Sequence, residues 1–151
     1  LQRRSAEHKL ATWFPDQVFF FAKSKPMTLH LRVVQLGTAR EPGEGLRIGT
    51  VRYLPRGVKK TDYAKMDYFD VWLPTLAPSR ELLKEHAEGL PIATLLRRYR
   101  AEMKQPDALH TITLLAAIAR ITPIAIGCYC DDETKCHRSV LGELIRQATA
   151  K

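Results

Sequence analysis

Cys128, Cys130, Cys136 and His137 fall close together in the stretch GCYCDDETKCHRSVLGELI, which holds every cysteine of the chain. Sulfur and imidazole nitrogen are the donors that zinc takes, and a thiolate near a cation or a helix start is also a nucleophile. Spacing argues against zinc. Structural sites usually draw two ligands from a C-x2-4-C knuckle in a loop, whereas this C-x-C lies on an apolar run that reads as a buried strand. Adjacent Cys136 and His137 would also have to turn toward one point. No metal and no cofactor is therefore assigned.

A strand that ends near Cys130, an acidic loop and a helix from about His137 put sulfur next to a helix N-terminus. Backbone N–H groups and the positive end of the dipole favour an anion there. Cys130 and Cys136 are the candidate nucleophiles, with His137 as proton partner and Arg138 as a stabilising cation. A plain binding or structural role for Cys136 is the alternative. Cys128 reads as small core filler. No C-x5-R phosphatase loop is present, since seven residues rather than five separate Cys130 from Arg138, and the position after five residues from Cys136 is Gly142, not arginine. In DDET, Asp132 or Thr134 is expected to cap the helix in a solvated loop rather than to bind metal.

A second cluster lies in RYLPRGVKK, where Arg52, Arg56, Lys59 and Lys60 sit at the end of another strand-like run. Arginine forks onto phosphate or carboxylate oxygens. If the two strands run parallel, both loops open on one edge of the sheet, where open α/β sheets bind ligands. Arg52, Arg56, Arg138 and Ser139 are then the expected anion-binding residues of a shared cleft with Cys130, Cys136 and His137. RRYR (97–100) reads as a solvated helix face with Tyr99 inward.

Positioning these loops requires alternating elements. TLHLRVVQL and LRIGTVRYL have the two-residue period of strands, and DYFDVWLP reads as a short strand before Pro74. SRELLKEHAEG is a helix capped by Ser79 and stopped at Gly89. PIATLLRRYRAEMKQ carries a helical apolar stripe, and DALHTITLLAAIARI is apolar nearly all round, as a covered crossover helix would be. TPIAIGCYC is a continuous buried strand. The last helix, from about His137 to Ala148, buries Val140, Leu141 and Ile145 and shows Arg138, Glu143, Arg146 and Gln147 to solvent. This order predicts a single three-layer α/β domain with a small, mainly parallel sheet flanked by helices.

The chain of 151 residues suffices for one substantial core. Residues 27–151 form the expected domain, and 1–26 an N-terminal extension or helical arm with a short helix over 16–23. No stretch reaches the roughly 20 apolar residues of a membrane span. Three clustered cysteines do not make a disulfide framework, so a cytoplasmic setting is expected. The net charge is +8, and all of the excess lies in residues 1–60, with 12 basic against 4 acidic side chains. Such a field suits a phosphorylated small molecule or a nucleic acid as partner, or serves solubility alone. A non-catalytic nucleic-acid-binding module and a metal-binding accessory protein are the rival functions.

RIGTVRYLPRGVKK, WLPTLAPSREL, RRYRAEM and CDDETKCHRSVLGELI resemble, in order, the landmarks of the YeaO-like domain-of-unknown-function family numbered 488, in its branch with Cys-His-Arg before the final helix. The pattern matches at Arg52, Pro55, Arg56 and Gly57, at Leu76 to Ser79, at Tyr99 and at Cys136-His137-Arg138. It departs at Val51, where many relatives have an acid, and at Leu54, where tryptophan is frequent. The resemblance implies a compact α/β domain without an assigned activity.

Overall fold

The computed structural model describes residues 28–150, so the expected N-terminal extension and its helix lie outside the described residues. Four strands, β1 (Leu31–Gln35), β2 (Leu46–Gly49), β3 (Val71–Trp72) and β4 (Ile124–Cys128), form one sheet in the order β1-β4-β2-β3. Every pairing is parallel. The helices are α1 (Arg80–Ala87), α2 (Ile92–Glu102), α3 (Pro106–Ala119) and α4 (His137–Ala148). The expected α/β domain is the fold that forms.

The central strand explains the arrangement. β4 is buried at all five positions, consistent with its unbroken apolar run and with neighbours on both sides. Alternate residues face opposite ways. Ile124 and Ile126 join Ile48 and the helical residues Leu82, Tyr99, Ile112, Leu141 and Ile145 in the main core. Burying each such aliphatic side chain contributes about 1.5–3 kcal/mol. α4 lies close over β1, and a methyl at Gly142 would stand 2.9 Å from Val33 Cγ2.

The other face is covered by irregular chain. A Cβ at Gly49 would meet Phe69 at 2.4 Å and one at Gly127 would meet Leu36 at 2.3 Å, so these strand glycines admit two large side chains over the sheet. Leu36, Val51, Tyr63, Phe69, Cys128 and Cys136 form this second, smaller apolar cluster. At its margin Arg47 is fully buried. Its Nε donates to Glu44 Oε1 at 2.5 Å, Nη2 to Oε2 at 2.8 Å, and Nη1 to the carbonyls of Thr38 and Asp67. Asp70 accepts from Arg40 through both carboxylate oxygens and from the Arg47 backbone N–H.

Ser79 caps α1 as expected, its hydroxyl accepting from Leu82 N at 3.2 Å. The strand expected to run through Arg52 ends earlier, at Gly49. Thr50 and Val51 continue buried, the Thr50 N–H still donating to the Gly127 carbonyl at 3.0 Å and Val51 packing in the smaller cluster.

Candidate functional site

Parallel pairing of Gly49 with Gly127 sends the chain after β2 and the chain after β4 out of the same edge of the sheet. Tyr129 ties the two together, its hydroxyl donating to the Tyr53 carbonyl at 3.0 Å. The shared edge required by the cleft reading is therefore present.

Three sulfurs meet at this edge. Cys128 and Cys130 Sγ are 3.7 Å apart, and the sulfurs of Cys128, Cys130 and Cys136 all lie within 4.8 Å of one another. Cys128 and Cys136 are buried while Cys130 is exposed. Cys128, read from sequence as core filler, is thus both buried and part of the sulfur cluster. The Cys128 thiol, followed by that of Cys136, stabilises a charge on Cys130, and the nearby Arg138 cation adds to it. The Cys130 thiol is held far below its ordinary range. Cys136 is pushed far up, first by the Cys128 and Cys130 sulfurs and then by burial. Negative charge in the cluster resides on Cys130.

His137 opens α4 and is buried at 7 % exposure. Its Nε2 is 2.8 Å from the Thr50 carbonyl oxygen. A carbonyl can only accept, so Nε2 carries the proton and Nδ1 keeps a lone pair. Nδ1 stands 3.8 Å from Cys136 Sγ. Burial lowers the His137 pKa despite that carbonyl, which keeps the ring neutral. Sequence inspection did not single out Thr50, because its contribution is a main-chain oxygen.

Arg138 corrects the expectation of a solvent-facing cation. It is buried at 4 % exposure, and its guanidinium donates to the carbonyls of Cys130 (2.6 Å), Val34 (3.2 Å), Cys128 (3.3 Å) and Asp131 (3.4 Å). These carbonyls lie at or just beyond the ends of β1 and β4, and that of Cys128 also accepts from the Leu36 N–H at 2.9 Å. Arg138 is a clamp under the sulfur cluster, and its Nε is the buried side-chain nitrogen without a partner among the described residues.

Arg52 is engaged in the same manner. Its Nε donates to the Pro78 carbonyl and Nη2 to the Ala77 carbonyl, both at 3.0 Å, fastening the chain after β2 to the entry of α1. The Ser139 hydroxyl donates to the Cys136 carbonyl at 2.8 Å, within the first turn of its own helix. Asp132 caps the short 3-10 turn Glu133–Lys135 by accepting from Thr134 N, and α4 begins without a side-chain cap. Arg56, Lys59 and Lys60 are exposed and form no ion pair among the described residues.

Two hollows adjoin the cluster. One of about 210 Å³ has Arg52, Tyr53, Cys128, Tyr129, Cys130 and His137 among its walls, so the exposed sulfur opens directly into it. The other, about 370 Å³, is lined by Leu54, Pro55, Arg56 and Tyr68 and shares Tyr53 and Tyr129 with the first. Arg52, Cys130 and His137 thus come together, Arg56 lies next door, and Cys136, Arg138 and Ser139 stand behind the wall. The two tyrosines were missed in the sequence, although each borders a residue singled out there. Tyr129 separates the C-x-C cysteines, and Tyr53 follows Arg52, two positions before the Pro-Arg-Gly turn.

Comparison with known proteins gives the family of the chain. Residues 31–149 match the family model described as DUF488-N3a, the active DUF488-N3 subclade. The chain is 36 % identical over 107 residues, 70 % of its own length and 88 % of the relative's, to the uncharacterized protein YeaO of Escherichia coli (strain K12). No solved structure matches. With a family model covering most of the chain and a relative of that similarity, the protein belongs to the YeaO-like DUF488 family.

Proposed function

We propose that this protein is a thiol-dependent enzyme acting on a small phosphorylated ligand of the nucleotide class, with Cys130 as nucleophile. The observation that carries it is the contrast among the three cysteines. Cys130 alone is exposed, and it opens into a hollow at the carboxyl edge of a parallel sheet, while Cys128 is a buried part of the wall and Cys136 lies behind it. Subclade members are described as active, which agrees with a catalytic reading.

Roles divide by access. Arg56, with Lys59 beside it, is the exposed cation that would hold the phosphate. Tyr53 and Tyr129 present aromatic surface between the two hollows, suited to a planar base. The Cys130 sulfur adds to the electrophilic centre, and the leaving group departs through the open side. Cys130 already carries the charge and needs no base at attack; the leaving group takes the electron pair of the bond that breaks, and the Cys136 thiol and the His137 Nδ1 lone pair stand 3.8 Å apart behind Cys130. Arg52, Arg138 and Ser139 act by holding backbone in place.

The test is ligand-induced stabilisation. AMP, ADP and pyrophosphate are each melted with the full chain and with Arg56→Ala. A ligand at a hundred times its Kd adds about 2.7 kcal/mol. Stabilisation of the parent and its loss in the variant support the site; an unchanged melting temperature with all three refutes the ligand class.

The +8 charge favours a second reading, a nucleic-acid-binding module that uses Arg56, Lys59 and Lys60 on the same edge. Its signature is affinity for polymer that falls steeply with salt.

A further inference from the structure

Three sulfurs from two separate segments converge at one point. Spacing spoke against a metal because the C-x-C lies on a strand rather than in a loop knuckle and because adjacent Cys136 and His137 would have to face one point. The fold brings the Cys136 sulfur to the C-x-C pair without calling on His137. We infer that Cys128, Cys130 and Cys136 form a three-thiolate site for a single thiophilic divalent ion of the zinc class. This inference rests on the sulfur positions and is independent of the nucleotide reading.

The geometry fits the ion. A tetrahedral zinc with bonds of about 2.3 Å to sulfur places its sulfurs about 3.8 Å apart. Cys128 and Cys130 already stand at 3.7 Å, and no pair in the cluster exceeds 4.8 Å. Closing the set needs movements of about 1 Å or less at side-chain torsions. The donor type selects soft ions over magnesium or calcium, which take oxygen.

The surroundings fit the charge. Three thiolates and a divalent ion leave one net negative charge. Arg138 is buried beneath, donating to the carbonyls of both Cys128 and Cys130, and its cation offsets that charge. His137 stands beside Cys136, its Nδ1 3.8 Å from that sulfur and its other nitrogen held by the Thr50 carbonyl. The outer contacts that orient the ligands are the Arg138 bonds to the carbonyls of Cys128 and Cys130. Three protein ligands with an exposed edge at Cys130 leave a fourth position toward the hollow, the pattern of an open site rather than a closed structural one. An ion so held would also occupy the Cys130 sulfur, so the loaded and empty forms would be distinct chemical states of one site.

The full chain, reduced and stripped with chelator, is titrated with Co²⁺ and then with Zn²⁺. The inference expects one equivalent of Co²⁺ to give intense sulfur-to-metal charge-transfer absorption, which Zn²⁺ displaces. Cys128→Ser, Cys130→Ser and Cys136→Ser are each expected to weaken binding at least tenfold, and Arg56→Ala to leave it unchanged. Cys130 is exposed, so Cys130→Ser tests the site even if the buried variants fail to fold; melting curves identify such failures. One equivalent of Zn²⁺ is also expected to block alkylation of Cys130. Absence of charge-transfer absorption, or full binding by folded Cys130→Ser, overturns the inference.

Discussion

His137 Nε2 and the carbonyl oxygen of Thr50 are 2.8 Å apart, joining the first residue of α4 to the end of β2 across 87 positions of sequence. This contact sets the tautomer of the imidazole and holds the sulfur-bearing helix start against the basic loop. His137→Ala would leave a buried carbonyl without a donor, at a cost of about 1–3 kcal/mol. Urea denaturation of the variant is expected to show that loss, and retention of full stability would show that the contact does not matter.

Arg138 is expected to matter more. Its guanidinium serves four main-chain oxygens from a buried position. Arg138→Ala is predicted to destabilise by about 3 kcal/mol or more, as several charge-assisted bonds go at once. Arg138→Lys should recover less than half, since one ammonium cannot span a fork of that width. Equal stability of the lysine variant and the parent would contradict the clamp.

Acid should weaken the fold through Glu44. The hydrogen bond from Arg47 holds its carboxyl below the usual range. A depressed folded-state value means that the pair stabilises fully above the unfolded pKa of about 4.3 and that this share is lost as pH falls through the lower folded value. Asp70 is also held low, its bonds from Arg40 and the Arg47 N–H outweighing the opposing effect of burial. Glu44→Gln is therefore expected to lower stability at pH 7 and to flatten, without abolishing, the fall between pH 5 and 2. Thermal unfolding across that range decides; an unflattened fall would exclude Glu44 as a contributor.

Arg56 separates the two functional readings. Arg56→Ala should reduce affinity for the stabilising nucleotide about tenfold while shifting stability by less than about 0.5 kcal/mol, as expected for an exposed residue. Filter binding to single-stranded oligonucleotide at 50 and 200 mM salt is the companion measurement. Weak binding at both salts is predicted for the enzyme, and tight binding lost at higher salt for the module.

Much of the architecture was legible because apolar period and punctuation mark it. The unbroken run TPIAIGC named the central strand, Ser79 and Gly89 bounded α1, and a parallel sheet followed from the crossover helix before β4. The shared edge of the Cys130 and Arg56 loops came with that topology. Arg138 was not legible. Its position on α4 looked solvent-facing by period, and only the packing of α4 beside the ends of β1 and β4 brings it within reach of four carbonyls. Arg52 misled for the same reason, since a cation at a strand end serves main-chain oxygen as readily as phosphate. Convergence of Cys136 on the C-x-C pair depends on how the 131–135 turn folds back, which local sequence does not encode.

Intact-mass and peptide analysis after limiting iodoacetamide tests the assignment of Cys130 most directly. The metal-free chain at neutral pH is expected to take one carbamidomethyl group, on Cys130, with the reaction slowed by the nucleotide that stabilises the fold. Cys128 and Cys136 should stay unmodified until denaturant is added. Labelling of Cys128 or Cys136 before Cys130 in the native protein, or a Cys130 rate no faster than that of a free thiol and indifferent to the ligand, would contradict it.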